Sequence, residues 1–512
     1  MAKNTMDEAV PVVDSLDALY STEALKLQMQ RWDRLYRRFA EIYDGEKPQF
    51  VARSPGRVNI IGEHIDYSLY EVLPMAIAAD VLIAVSASPD HHENGKTKKT
   101  VANVDHEKHK SNEFLISDSG EVEIDASAHE WSNYFKAGIK GAYQLLRQRD
   151  LSHKPVGMKV LFDGTVPAGG GLSSSAAFVC ASALAALRAN GEEKVSKKDL
   201  VELAIVSERS VGVNSGGMDQ SASVFSIHGN ALSVTFWPEL SAEALTFPKM
   251  DPPITFMIAQ SFVASDKQVT APECYNKRVV ECTLAAEVIA HALGLTLEDD
   301  SSPLSRSIRG LQHAYFSHSG PGAPAAFPKE QLEIVLSLVD KYLNKKAGYT
   351  RSDIASALSI STQNLDERFC TKFPVRGEHF YLHQRAKHVI TEALRVLNFK
   401  ELLLARPSPP DLLPRLGSLM NETQVSCREV YDCSCPELDH LCDIAREAGS
   451  YGSRLTGAGW GGCTVHLVPK DKAEDVRTAW IEKYYKVREP DISPEKLGEA
   501  VVISEPGQGA AM

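Results

Sequence analysis

Apolar residues at Leu25, Leu27, Met29, Trp32, Leu35, Phe39 and Ile42 recur at the spacing of one helix face, which predicts an N-terminal helix within residues 20–45. From Phe50 to Ser86 the pattern tightens and β-branched residues gather (Val58, Ile60, Val72, Val81, Ile83, Val85), as in strands. The polar stretch 88–112 reads as an exposed hairpin or loop, and its His91, His92, His106 and His109 follow no metal-ligand spacing. Residues 156–166 read as a strand entering a glycine loop and 175–190 as the helix after it. A second helix, 197–210, leads to a turn at Gly216-Gly217. Beyond residue 230, strand-like ALSVTFW and ITFMIAQ alternate with helical runs at 280–293, 330–345 and 383–397. The chain closes on strand-like GCTVHLVP and AVVIS, and SHSGPGAPAAFP at 317–328 reads as a flexible insertion. Strands followed by helices in both halves predict an α+β protein of two domains, 1–229 and 230–512, with a cleft between them.

Composition narrows the function more than the fold. A chain of 512 residues exceeds one typical core, and its formal net charge of −12 argues against a nucleic-acid-binding surface. The basic clusters Lys96-Thr97-Lys98-Lys99 and Lys345-Lys346 are short and read as solvated loops. Nine cysteines without a repeated metal-binding spacing suit reduced thiols packed as small hydrophobes. No secretory signal is visible, and the longest apolar run, Ala176 to Leu187, is too short for a membrane span. These features predict a soluble cytoplasmic protein without a membrane or nucleic-acid partner.

Three segments carry chemistry. In GRVNIIGEHIDY a strand runs into a glycine turn and then presents Glu63, His64 and Asp66, donors and acceptors suited to hydroxyl groups, with Arg57 as a planar cation for phosphate. In PAGGGLSSSAA, Gly169, Gly170 and Gly171 let the backbone approach a ligand, and the following helix offers its N-terminal end to an anion. Leu172 and the hydroxyls of Ser173, Ser174 and Ser175 complete that loop. The third segment sets Glu208 near a helix end and Asp219 beside the turn at Gly216-Gly217. One carboxylate for magnesium and another beside an attacking hydroxyl are what phosphoryl transfer requires. Two further strings mislead: Asn94-Gly95-Lys96-Thr97 lacks the first glycine of a phosphate loop, and Gly457-Ala-Gly-Trp-Gly-Gly462 is followed by a strand instead of the helix a dinucleotide motif needs.

Together with SRLTGAGWGGCTVHL, these segments resemble, in order and spacing, the galactokinases of the GHMP small-molecule kinase family, over about residues 45–505 and most closely the fungal ones. The resemblance implies a ribosomal-S5-like N-terminal domain and a ferredoxin-like C-terminal domain with extra helices. It implies that Asp219 accepts the proton of the phosphorylated hydroxyl, with Arg57 beside it. Glu63, His64, Asp66, the backbone at Gly216 and Tyr275 would bind the remaining sugar hydroxyls. Gly169 to Ser175 would wrap the phosphates of ATP, Ser174 and Glu208 would hold Mg2+, and Trp131 would line the adenine pocket. The Gly457–Gly462 loop would shape the site through its backbone.

The activity so implied is ATP-dependent phosphorylation of D-galactose at its anomeric hydroxyl by a monomer. Two alternatives share the motifs: an N-acetylgalactosamine kinase, and a galactose sensor that engages a transcriptional repressor. Inactive sensors lack a Ser-Ala pair in the serine-rich loop, whereas Ser173 to Ala177 is full length here. The insertions at 88–112 and 317–328 belong to none of the motifs.

Overall fold

The computed structural model describes the chain apart from residues 1–2, 5, 7, 89–94, 126–129, 168, 209, 211–215, 265–269, 319–327 and 372–373. His91, His92 and most of the 317–328 insertion therefore lie outside the described residues.

Helix α1 (Thr22–Ile42) precedes β1 (Phe50–Ile61) and β2 (Leu73–Ser88). With β3 (Lys96–Asn103), β4 (Asn112–Ser117) and β5 (Gly157–Gly164) they form, among the described residues, a five-stranded sheet in the order β1-β2-β5-β3-β4. All neighbours are antiparallel except β3 and β5. Alternation along the strands decides which side chain meets which layer. Val51, Leu82, Ala84 and Leu161 face one side, where Leu35 and Phe39 of α1 cover them. Ala52, Ile83, Val85 and Val160 face the main core.

That core is roofed by α2 (Ser132–Arg149), α3 (Ser174–Ala189), α4 (Lys197–Glu208) and the short α5 (Met218–Phe225). Helices α2 and α3 pack almost backbone to backbone. A Cβ on Gly138 would stand 2.6 Å from Cβ of Ser182, and one on Gly141 would collide with Oγ of Ser207 in α4.

Strands β6 (Asn230–Thr235) and β7 (Ser241–Thr246) pair with each other, and Val234 bridges to Val72 ahead of β2. The second sheet has β8 (Ile254–Gln260), β9 (Gly452–Thr456), β10 (Cys463–Pro469) and β11 (Val501–Ser504) in the antiparallel order β9-β10-β8-β11. Helices α6 (Tyr275–Ala292) and α7 (Leu382–Leu404) pack on each other, and α8 (Leu412–Glu429) and α9 (Pro436–Glu447) pack on this sheet, with α7 also meeting α8. After β11 the chain returns to the first sheet, where Ala511 exchanges backbone hydrogen bonds with Arg53 at 2.9 and 3.1 Å. Every helix and strand expected from the periodicity is present, with ends moved by a few residues.

The basic cluster at 96–99 is not a solvated loop. It lies in β3, inside the sheet, and Lys99 is fully buried with its Nζ donating to Oγ1 of Thr97 at 3.0 Å. Burial pushes that ammonium down to about 7. Polar composition concealed a strand whose lysine stem packs in the core, its ammonium facing the Tyr143 ring at 5.7 Å. Lys345 and Lys346 are exposed as expected. All nine cysteines are free thiols. Among the described residues no helix is long and apolar enough to cross a membrane.

Candidate active site

The end of β1 turns abruptly because Gly62 and His64 both take positive φ, 108° and 60°. Such angles suit glycine and cost a histidine roughly 1 kcal/mol or more, so the surroundings must hold the turn. Its backbone N–H groups at Gly62 and Glu63 donate to Oε1 of Glu392 at 2.8 and 3.2 Å. The Glu63 carbonyl accepts from Nε2 of His388 at 3.0 Å.

The side chains then diverge. Glu63 pairs with Arg454 at 2.6 Å and accepts the N–H of Gly457 at 3.1 Å through the same Oε2. His64 donates from Nε2 to the Ala458 carbonyl at 2.9 Å, while Nδ1 lies 3.0 Å from the Tyr67 hydroxyl. The Tyr67 hydroxyl also meets that of Tyr431. Burial opposes charge on His64, but Cys433 and Glu63 outweigh it and the pKa of the ring is raised. Rings of Tyr275, Tyr431 and Trp460 stand 5.0–5.7 Å from the imidazole.

Asp66 opens the short helical turn that follows. Burial, then the nearby Asp219 carboxylate, raises its pKa from 3.8 to about 6. Gly216 lies directly against it, since a Cβ there would stand 2.5 Å from Oδ2 of Asp66 and 2.6 Å from the Tyr67 nitrogen. Tyr275, the first residue of α6, is close enough to Asp66, Asp219, Glu63 and Arg57 to feel all four charges. Asp219 sits in the first turn of α5, behind Gly217 at φ 114°. Its Oδ1 accepts from Nε of Arg57 at 2.8 Å, and Nη2 of the same guanidinium stands 2.6 Å away as its ion-pair partner.

Arg57 also joins this carboxylate group to the glycine loop. Its Nη1 donates to the Gly171 carbonyl at 2.7 Å and its backbone N–H to the Leu172 carbonyl at 3.1 Å. The loop is exposed at Gly169, where a Cβ would meet no atom within 4 Å, and it ends at Ser173 ahead of α3. Ser173 adopts φ 59°, and its Oγ is buried without a hydrogen-bond partner among the described residues. An unmatched hydroxyl beside free helix N–H groups fits a phosphate oxygen. Gly457 packs on the Gly171 carbonyl and Gly462 on that of Gly170, so the two glycine loops lie back to back.

Glu208 is the last residue of α4, is buried, and accepts from Nε2 of Gln220, the neighbour of Asp219. Ser174 begins α3. Both carry hard oxygen donors, a carboxylate and a hydroxyl, of the kind that suits magnesium. Trp131 is half-buried against Phe162, Phe178 and His109, with Nε1 donating to the Lys110 carbonyl at 3.1 Å.

The structure thus brings Arg57, Glu63, His64, Asp66, Gly216, Asp219 and Tyr275 into one cluster, with the glycine loop tied to it through Arg57. Sequence reasoning assigned no role to Glu392, His388, Arg454, Tyr67 or Tyr431. The first three reach the turn from 325 to 391 residues away, beyond any local pattern. Of these three only Arg454 lies in a segment that carries the resemblance, SRLTGAGWGGCTVHL.

A buried arginine–carboxylate pair that ties the Gly62–Asp66 turn to the Gly169–Ser173 loop, on this fold, is the arrangement of a small-molecule kinase of the GHMP type. Family models for the GHMP kinase N-terminal domain and C-terminal domain match residues 133–226 and 410–486, and a galactokinase galactose-binding signature matches 37–87. The chain is 42% identical to a galactokinase of Saccharomyces cerevisiae over 93% of its length and 94% of the relative's. It is 38% identical to one of Candida albicans, with 98% of both covered, and 38% to one of Dictyostelium discoideum, with 96% and 95% covered. The crystal structure of Lactococcus lactis galactokinase complexed with galactose shares the fold at a TM-score of 0.63 and 22% identity, over 94% of this chain and 99% of that one. The chain belongs to the galactokinase family.

Proposed function

We propose that this protein transfers the γ-phosphoryl group of ATP to the anomeric hydroxyl of D-galactose, giving α-D-galactose 1-phosphate. The observation that carries the reading is the Arg57–Asp219 pair, 2.6 Å apart and hydrogen-bonded onward to Gly171. It aligns a proton acceptor for the sugar with the loop that would wrap the nucleotide. Phosphoryl transfer depends mainly on such alignment and on charge stabilisation.

In this reading Asp219 accepts the proton of the attacking hydroxyl. Arg57 keeps that carboxylate ionised and faces the transferred group. Glu63, His64, Asp66, Tyr275 and the backbone at Gly216 bind the other hydroxyls. Residues Gly169 to Ser175 wrap the phosphates, and Trp131 lines the adenine pocket. Ser174 and Glu208 would hold magnesium, which when bound neutralises phosphate charge. Residues 1–229 carry the sugar and nucleotide motifs, and 230–512 supply the third glycine-rich motif. The protein acts in the cytoplasm as a monomer.

The test is kcat/KM across galactose, N-acetylgalactosamine and glucose with ATP. Galactose should lead, and glucose, whose 4-hydroxyl points the other way, should fall by as much as ~10⁴-fold because buried polar groups are left unpaired. A higher value for N-acetylgalactosamine would overturn the choice of sugar.

A further inference from the structure

The turn Gly62–His64 is held from behind by one face of α7. His388 and Glu392 stand one helical turn apart on that face and are completely buried. Oε1 of Glu392 accepts from the backbone of Gly62 at 2.8 Å and Glu63 at 3.2 Å, while Nε2–H of His388 donates to the Glu63 carbonyl at 3.0 Å. The helix therefore grips both the donor and the acceptor edge of the same peptide segment.

Each gripping group is fixed in turn. Oε2 of Glu392 accepts from Arg395 at 2.8 Å and from Thr423 at 2.9 Å. Nδ1 of His388 accepts from the Ser426 hydroxyl at 2.8 Å, which sets the tautomer whose proton sits on Nε2. Arg395 and the other nearby charges hold Glu392 down at about 2 despite its burial, and burial drives His388 down to about 3. Both groups therefore keep one protonation state across the working range of pH.

We infer that Glu392 and His388 are positioning residues for the sugar: they hold the strained backbone between Gly62 and His64 so that Glu63, His64 and Asp66 present their side chains in register. The inference rests on the reading that those three side chains bind the substrate hydroxyls. Neither gripping residue touches substrate. A bare turn with positive φ on both sides of Glu63 has no reason of its own to stay in one conformation. Two hydrogen bonds donated to an ionised carboxylate and one accepted from an imidazole N–H supply that constraint.

The experiment compares Glu392→Asp, Glu392→Gln, His388→Leu and His64→Ala in the purified full chain. KM for galactose and for ATP, kcat and Tm are measured for each. Glu392→Asp keeps the charge but withdraws the carboxylate by one methylene. It should raise KM for galactose about ten- to hundredfold, the scale of a lost charge-assisted hydrogen bond, and leave KM for ATP unchanged. Glu392→Gln retains the Oε1 acceptor but sets an amide NH2 against Arg395 and Thr423, so it should lower Tm while KM for galactose rises less than in Glu392→Asp. His388→Leu should show the same split between the two substrates as Glu392→Asp. If Glu392→Asp lowers only Tm or kcat while His64→Ala raises KM for galactose, the positioning role is overturned and the sugar site stands. If His64→Ala also leaves KM for galactose unchanged, the sugar site itself is wrong and the inference falls with it.

Discussion

Arg57 gives two of its nitrogens to one oxygen of Asp219, at 2.8 and 2.6 Å, and a third to the Gly171 carbonyl at 2.7 Å. The arginine side chain is only 2% exposed and the aspartate 10%. The carboxylate is therefore the counter-ion of a buried cation that is itself bonded to the glycine loop.

That position separates two substitutions. Asp219→Asn keeps shape and hydrogen bonding but loses the proton acceptor. It should lower kcat by about 10²- to 10⁴-fold, and it also removes the counter-ion of Arg57, so Tm should fall, though less than in the alanine variant because the amide oxygen can still accept from Arg57. Asp219→Ala should lose activity and also destabilise the fold by about 3–5 kcal/mol, because Arg57 is left buried and unpaired. Thermal melting of the two variants beside their kcat values checks the distinction; equal Tm values in the two would mean that hydrogen bonding to Arg57 adds nothing to stability beyond the lost charge.

Asp66 predicts a pH dependence. Its pKa is raised from 3.8 to about 6, so the folded protein holds this proton more tightly than the unfolded chain. The stability it contributes is fully present below about pH 4 and is lost as pH rises through about 6, on the order of 3 kcal/mol in all. Sugar binding runs the other way, since the ionised carboxylate is the stronger acceptor. The pH profile of kcat/KM for galactose should rise through about 6, and Asp66→Asn should remove that limb. A limb that survives the substitution would assign the titration to another group.

Gly216→Ala tests close packing. Its Cβ would stand 2.5 Å from Oδ2 of Asp66 and 2.6 Å from the Tyr67 nitrogen, so Asp66 or its turn must shift. Misplacement on this scale should lower kcat/KM for galactose by about 10²-fold while KM for ATP holds. Wild-type values for both substrates would show that the turn yields without consequence.

Glu208→Gln addresses the metal. A neutral amide is a weaker ligand than a carboxylate for a hard divalent cation, so the magnesium concentration for half-maximal rate should rise about tenfold or more. The measurement is a magnesium titration at saturating galactose and ATP. An unchanged midpoint would make Glu208 a partner of Gln220 and nothing more.

The sequence by itself determined what depends on near neighbours. Helical periodicity located α1, β-branched runs located β1 and β2, and the glycines beside Glu63, Ser173 and Asp219 marked the turns that present functional groups. Local composition also misled, since Lys99 lies in a polar run yet is buried in β3. Tertiary structure alone decided how the groups meet. Arg57 pairs with a carboxylate 162 positions away, and Glu63 with an arginine 391 positions away. Such partners leave no trace in local periodicity, because their distance is set by how sheets and helices stack. The same holds for the hydrogen bonds from α7 to the Gly62–His64 turn. An amphipathic helix announces that one face will be buried, but not which backbone atoms that face will hold.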